Sequence, residues 1–524
     1  MKRPIFVGGA LVAAVAVLVG ATPAMSAPDH QSSNNNNSQK LRAAVTVDGI
    51  QEHLAAFQSF ADAGPGNRLS GNTGYEDSAH YVADRAAAAG LDVTVQEFEY
   101  DLGFLADWQA PILEVVGGPA LVPGIAAAQL GGDFGSMFKS TAYGIDTTAP
   151  VWAIDLALDD PTTTTSGCEV SDFDGVPAGA IVVVQRGNCG IATKLFNAQD
   201  SGAAALVFIS APPGQEGAVF FNFDGIDIPT LGATFDAAVT LVDGVADGDT
   251  GQTARFRIDW QPGTYTTQNV IAETSGRDDN VVVVGAHLDS VGVGPGIQDN
   301  GTGSAAILEI AEQMKKVKPR NQVRFIWFGA EESGLLGSEF YVDSLTEDEI
   351  DDIGAMLNFD MIASPNFVRF VYDGDLSDSP PPPSGAPDGS AAIETLFVDY
   401  FDSQGLASEP TEFSGRSDYG PFIEVGIPAG GLFTGAEGIK TTEQAAIYGG
   451  TVGEQYDPCY HLGCDDLDNP SALALDQMGD AAAHAVISLA QSTQAVNGER
   501  GKGNFNTPPG HDDHAPTPLT IIGR

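Results

Sequence analysis

The sequence predicts an α/β chain with a mixed, mainly parallel central sheet covered by helices on both faces, and a β-rich domain inserted into it. Three observations carry this. The runs 281–286 and 323–329 are almost wholly apolar, as strands buried on both faces require, and the stretch 305–316 between them has a helical apolar period. Together they make a βαβ unit, which implies parallel strands with helices packed on the sheet. From about 130 to 255 the texture changes: AIVVVQRGNC and AAALVFIS are short β-rich runs around a helix-like TKLFNAQDSG. The length of 524 residues also exceeds what one core usually holds.

The elements follow in order. Lys2 and Arg3 precede an apolar run over 5–20, and Ala24-Met25-Ser26-Ala27 offers small residues for cleavage. This predicts a signal peptide over 1–27 and a secreted, extracellular protein with no membrane anchor. No cysteine lies nearby to take a lipid. Residues 28–40 read as a polar spacer, 41–61 and 77–90 as helices, and 91–100 as a strand. Gly and Ala dominate 119–142, a junction. The α/β domain is therefore assigned 41–129 and 256–495, and the insert 130–255. Four prolines at 380–383 mark a surface loop. The tail 496–524, rich in Gly, Pro and Asp, is expected to be disordered, and His511-Asp512-Asp513-His514 within it to be solvated.

Charge narrows the function. Asp and Glu number 70 against 23 Lys and Arg, a net charge of -47. Such a surface repels nucleic acid and anionic membranes, both polyanions. Four cysteines in an exported chain, Cys168, Cys189, Cys459 and Cys464, predict two disulfides. Their spacing suggests the local pairs Cys168–Cys189 and Cys459–Cys464, although three connectivities are open to four cysteines.

The chemistry gathers at strand ends. VVVVGA ends at His287-Leu288-Asp289, VRFIWFGA at Glu331-Glu332, and AMLNF at Asp360. Parallel strands bring these side chains to one carboxyl edge, where open α/β sheets place their sites. Asp299 follows a Gly-rich loop after the first of these strands. Each piece alone is weak, since His-x-Asp and Glu-Glu recur by chance. Their conjunction is strong, because one edge would otherwise collect mutually repelling carboxylates that only cations relieve. Mixed histidine and carboxylate ligands suit zinc.

These motifs identify a resemblance. Asn269-Val270-Ile271-Ala272, Gly285-Ala286-His287-Leu288-Asp289-Ser290, Asp299-Asn300-Gly301, Ala330-Glu331-Glu332-Ser333-Gly334 and Asn358-Phe359-Asp360-Met361 stand in the order found in metallopeptidase family M28, the double-zinc exopeptidases. Gly415-Arg416-Ser417-Asp418, the run from Ala429 to Glu437, and Asp457-Pro458-Cys459-Tyr460-His461 continue the series. The likeness covers roughly 41–115 and 260–490 and is nearest to secreted actinobacterial leucine aminopeptidases. The insert resembles a protease-associated (PA) domain, through the run from Gly179 to Cys189 and then Lys194, Asn197, Ala198 and Gly202-Ala203-Ala204-Ala205. That implies a lid or substrate gate, with an inert structural insert as the equal alternative.

The resemblance implies the following roles. The fold is that of the zinc exopeptidases, and the activity is release of single residues from the free N-terminus of peptides. His287 and Asp360 bind one zinc, Glu332 and His461 the other, and Asp299 bridges the two. Asp289 accepts a hydrogen bond from His287. Glu331 is the general base that activates a zinc-bridged hydroxide, and Tyr460 holds the oxyanion. Glu331, Asp360 and the backbone of Arg416 take the substrate's amine. Met361, Gly415, Arg416, Phe433 and Tyr460 line a first pocket suited to Leu, Met or Phe. Some members also bind structural calcium, which has no assigned position here. A monomer is expected. The alternatives are a carboxypeptidase of the same clan, a one-zinc glutaminyl cyclase and a non-catalytic PA-containing binding protein. A full set of five ligands and a base argues against the last two.

Overall fold

A computed structural model describes residues 35–102, 112–118, 121, 134–136, 145–158, 164–187, 189–209, 226–258, 263–382 and 384–499. The expected signal peptide, the boundary at 129–130, the tail beyond 499 and the 511–514 cluster lie outside these residues.

The end of the expected spacer is ordered. Asn35 is buried and its N–H donates to Lys316 O at 3.0 Å. Asn37 caps a short helix, Ser38–Arg42, by accepting from Lys40 N. The helix expected over 41–61 is thus two. Thr46 in extended conformation accepts from Gly49 N and starts Val47–Ala63 afresh. The next helix, Thr73–Ala89, is capped by Asn72 and stops at Gly90, whose left-handed φ of 89° a glycine adopts without strain.

The strands in chain order are β1 (Asp92–Leu102), β2 (Ile112–Val115), β3 (Phe134–Ser136), β4 (Ile145–Ala153), β5 (Ile181–Gln185), β6 (Ala205–Ile209), β7 (Thr230–Ala233), β8 (Gly248–Ile258), β9 (Gly263–Glu273), β10 (Arg277–His287), β11 (Asn321–Phe328), β12 (Ile353–Phe359), β13 (Phe370–Tyr372), β14 (Glu409–Thr411) and β15 (Ala429–Phe433). They form two sheets. The larger has the order β1-β9-β11-β10-β12-β15-β13-β14. Its centre, β11-β10-β12-β15, is parallel. Antiparallel pairings, β1 with β9, β9 with β11 and β13 with β15, lie towards the margins. The sheet is mixed and mainly parallel at its core, as the sequence predicts.

The alternation along β10 explains its unbroken apolar run. Val282 and Val284 face a core roofed by the helices Val47–Ala63, Thr73–Ala89, Thr302–Met314 and Ala472–Gln491. Val281 and Val283 face a second core with Tyr341, Phe422 and Ile423. Both faces are covered, so neither tolerates polar residues. Trp327 is fully buried and satisfies its indole by donating to Ser304 O at 3.0 Å.

The smaller sheet has the order β2-β8-β4-β5-β6-β7-β3, with β4-β5-β6-β7 parallel. It too carries an apolar core on each face. The two disulfides are Cys168–Cys189 and Cys459–Cys464, one in each domain. Among the described residues no helix is long and apolar enough to cross a membrane.

Candidate metal centre and active site

Three parallel strands bring the cluster together. His287 is the last residue of β10 and pairs in register with Phe328 at the end of β11. Glu331 and Glu332 follow β11, and Asp360 follows β12. Asp299 stands on the turn into the helix Thr302–Met314. That helix seats very close to β12, since a Cβ on Gly303 would lie 2.1 Å from Phe359 O. His461 comes from the loop closed by Cys459–Cys464, stacked on Tyr460 with ring centroids 3.9 Å apart.

The geometry has a centre. Asp299 Oδ1 is 3.4 Å from His287 Nε2, and Asp299 Oδ2 is 3.0 Å from His461 Nε2. Asp360 Oδ1 lies 3.3 Å from His287 Nε2, and Glu332 Oε2 lies 3.3 Å from His461 Nε2. Two donor sets result, His287–Asp299–Asp360 and Asp299–Glu332–His461, joined at Asp299. Two ligand atoms on one tetrahedral zinc, each about 2.0–2.2 Å from it, stand about 3.3–3.5 Å apart, so these separations fit the metal. Asp360 Oδ1 and Glu332 Oε1 are buried and have no hydrogen-bond partner, as expected of oxygens meant for a cation. Glu331 Oε2 stands farther off, 3.8 Å from His287 Nε2, in a grouping with His287 and Glu332 that omits Asp299.

The electrostatics point the same way. Burial raises Glu331 well above the ordinary carboxylate value and raises Glu332 as well, against the pull of His287 and His461. Burial alone would lower the two histidines, but the carboxylates around them, led by Glu331 for His287 and Glu332 for His461, raise both well above the usual value. Asp299 is likewise desolvated, yet the two histidines hold it below the ordinary range. Carboxyls crowded this way resist ionising together until a cation is present. Burial also pushes the Tyr460 hydroxyl well up, so it stays protonated and can donate.

One expected contact differs. The Asp289 carboxylate is 3.7 Å from His287 Nδ1, too far for a hydrogen bond, and the nearer acceptor is the backbone carbonyl of Asp289 at 3.1 Å. The carboxylate instead accepts the N–H groups of Glu331, at 3.2 Å, and Glu332, at 3.3 Å. Asp289 thus fixes the backbone that presents Glu331 and Glu332. Its side chain is drawn there because the turn after β11 leaves those two donors without a strand partner.

The sequence reading missed several supports. Arg68 is fully buried over the Phe57 ring and clasps the loop between His287 and Asp299, donating to Leu288 O, to Pro295 O at 2.8 Å and to Gly296 O at 2.5 Å. Burial lowers its pKa to about 10, and Asp289, Asp465 and Asp299 hold its charge. Nothing in the local sequence marks it, because its partners are carbonyls more than two hundred residues away. Asp465 accepts Gln298 N at 2.7 Å and Asp299 N at 3.0 Å, fixing the central turn. Ser417 donates to Asp360 Oδ2 at 2.7 Å. Ser417 sits inside the motif Gly415-Arg416-Ser417-Asp418, and that was its only signal.

The cluster opens into a cleft also lined by Met361, Tyr372, Arg416, Tyr419, Phe433, Glu437 and Tyr460. The expected pocket residues Met361, Arg416, Phe433 and Tyr460 are therefore together, and Gly415 adjoins them in sequence, its φ of 76° suiting glycine.

The model of peptidase family M28 matches residues 269–486, and that of the PA domain matches 147–241. An aminopeptidase of Pseudomonas aeruginosa is 41% identical over 470 residues, covering 88% of this chain and 84% of its own. Leucine aminopeptidase 2 of Trichophyton tonsurans is 37% identical over 454 residues, covering 86% of each. The solved structure of a zinc aminopeptidase from Bacillus subtilis superposes with a TM-score of 0.60 at 24% identity, over 84% of this chain and 94% of its own, a likeness of fold.

Proposed function

The chain belongs to peptidase family M28, carries a PA domain and is a zinc-dependent aminopeptidase, and on that premise we propose that it works with two zinc ions, with Glu331 as general base and with a preference for large apolar N-terminal residues. The observation that carries this is Asp299, whose two oxygens are turned to two different histidines. His287 and Asp360 would hold one ion, Glu332 and His461 the other, with Asp299 shared.

Zinc bound there supplies Lewis acidity to the scissile carbonyl and to the attacking water. Glu331, outside both donor sets built on Asp299, takes the proton from that water and returns it to the leaving amine. The Tyr460 hydroxyl donates to the oxygen that gains charge. The free amine is held by Glu331, Asp360 and the backbone of Arg416, so a blocked amine loses its anchor. Met361 and Phe433, with the aromatic Tyr372 and Tyr419, make the nearby wall apolar, which supports a Leu-like or Phe-like first residue. The name of the Trichophyton relative agrees with that preference. We propose export of the protein and structural roles for both disulfides in that oxidising setting.

The test is hydrolysis of leucine 4-nitroanilide beside its N-acetyl derivative. We expect release only from the free amine, abolished by a chelator and restored by zinc. Cleavage of the acetylated substrate at a similar rate, or indifference to the chelator, would overturn the reading.

A further inference from the structure

Arg186 follows β5 of the PA domain on a short, firmly held arm. Its N–H donates to Ile209 O at 2.9 Å. Gly187 packs so tightly that a Cβ there would lie 2.1 Å from Thr164 O. Cys189 is tied to Cys168 just beyond. From this arm the guanidinium Nη2 reaches out of the PA domain and donates to Glu437 Oε1 at 3.1 Å. Glu437 stands on the loop after β15 and lines the catalytic cleft with Glu412 and Arg416. Burial would raise its carboxyl, but Arg416, a backbone N–H and then Arg186 hold it below the usual range. The cleft therefore has an apolar wall around Met361 and Phe433 and a charged wall that one PA residue helps to neutralise.

We propose that Arg186 is a positioning residue for substrate selectivity: by pairing with Glu437 it balances the charged wall and lets the enzyme accept either sign of charge in the residue after the scissile bond. This rests on the aminopeptidase reading, in which the apolar wall takes the first side chain and leaves the charged one to the next. With Arg186 present, its guanidinium pairs with Glu437 while that of Arg416 faces both Glu437 and Glu412. Without it, Arg416 alone faces both carboxylates, and the wall favours a basic second residue over an acidic one. The pair is about one-third exposed on each side, at 34% and 36%, so its effect belongs in selectivity rather than in stability.

The experiment compares the full chain with Arg186→Ala, Arg186→Lys and Arg186→Ala/Glu437→Gln on Leu-Lys-Gly and Leu-Glu-Gly peptides. In Arg186→Ala the ratio of kcat/KM for the lysine over the glutamate peptide should rise about 3–10-fold, chiefly through KM. Arg186→Lys should keep the parent ratio, and the added Glu437→Gln should return it towards the parent. The same shift should appear in dissociation constants measured by calorimetry in a Glu331→Gln background, where turnover is not needed. An unchanged ratio, or a common loss on both peptides, would overturn the proposal. A shift in binding with no turnover by the parent protein would uphold the role of Arg186 and count against the aminopeptidase reading instead.

Discussion

The PA domain and the catalytic domain are built from the same local material, four buried parallel strands with a core on each face, and their strand ends differ. In the PA domain β5 ends in Gln185, whose side chain accepts the N–H of Ala157 at 2.9 Å. Its buried Lys194 donates to Ser166 O and lies 3.5 Å from Cys168 Sγ. Among the described residues of that domain no buried side-chain polar atom lacks a partner. In the catalytic domain the same strand ends carry His287, Glu331, Glu332 and Asp360, and two of their oxygens lack one. One sheet edge is satisfied by the protein alone, while the other keeps two buried carboxylate oxygens that the protein leaves unpaired. The difference between structure and function in this chain thus lies in a handful of residues just past the strands.

The sharpest way to break this comparison is at Glu331, the proposed base. Glu331→Gln keeps both donor sets built on Asp299, so zinc should stay bound while kcat falls about 10²–10⁴-fold. Steady-state kinetics with elemental analysis check this, and a variant that keeps parent activity would remove Glu331 from its role. The next largest effect lies behind the site. Arg68→Met leaves three backbone carbonyls and nearby carboxylates without their buried partner, which should cost about 3–5 kcal/mol of stability. Loosening the His287–Asp299 loop should also weaken zinc about 10–100-fold. Thermal unfolding and metal competition read the two separately.

On the PA side, opening the disulfide should cost stability and leave turnover of a substrate with no charged second residue unchanged. Replacing Cys168 and Cys189 by serine opens a link spanning 21 positions, for a loss of about 3 kcal/mol. Turnover of leucine 4-nitroanilide should stay within about twofold at low temperature. A collapse of kcat there would show that the two domains are less separable than their strand ends suggest. The smallest effect concerns pH. His484, on the helix Ala472–Gln491, stacks on Tyr400 near Arg42 and Asp480, and its Nδ1 is 2.7 Å from Ser38 Oγ. Burial, with Arg42 adding to it, lowers its pKa to about 4. The unfolded chain takes up this proton near pH 6.5 and the folded one near 4, so stability falls as pH drops through that window, by about 1–3 kcal/mol. His484→Gln should flatten that slope in denaturation series between pH 7 and 4.

The legible part of the molecule was what repeats locally. Unbroken apolar runs such as β10 and β11 announce buried parallel strands, and the residues that end them announce the site. What stayed hidden depends on distant partners. Arg68 looks like any loop arginine until the chain folds back over 288–296. The side chain of Asp289 was expected on His287, yet the free N–H groups after β11 compete for it and win. The helical period over 41–61 ran across the break at 43–46, because periodicity does not sense that Thr46 can start a new helix. The contact from Arg186 to Glu437 joins residues 251 positions apart and has no sequence signature.

The central claim is that the catalytic edge is completed by two cations sharing Asp299. The most direct measurement is the zinc content of the purified protein and of its His461→Ala variant. We expect two zinc ions per chain, falling to one when His461 is removed. A parent protein saturated at a single zinc, or a count that His461→Ala leaves unchanged, would contradict it.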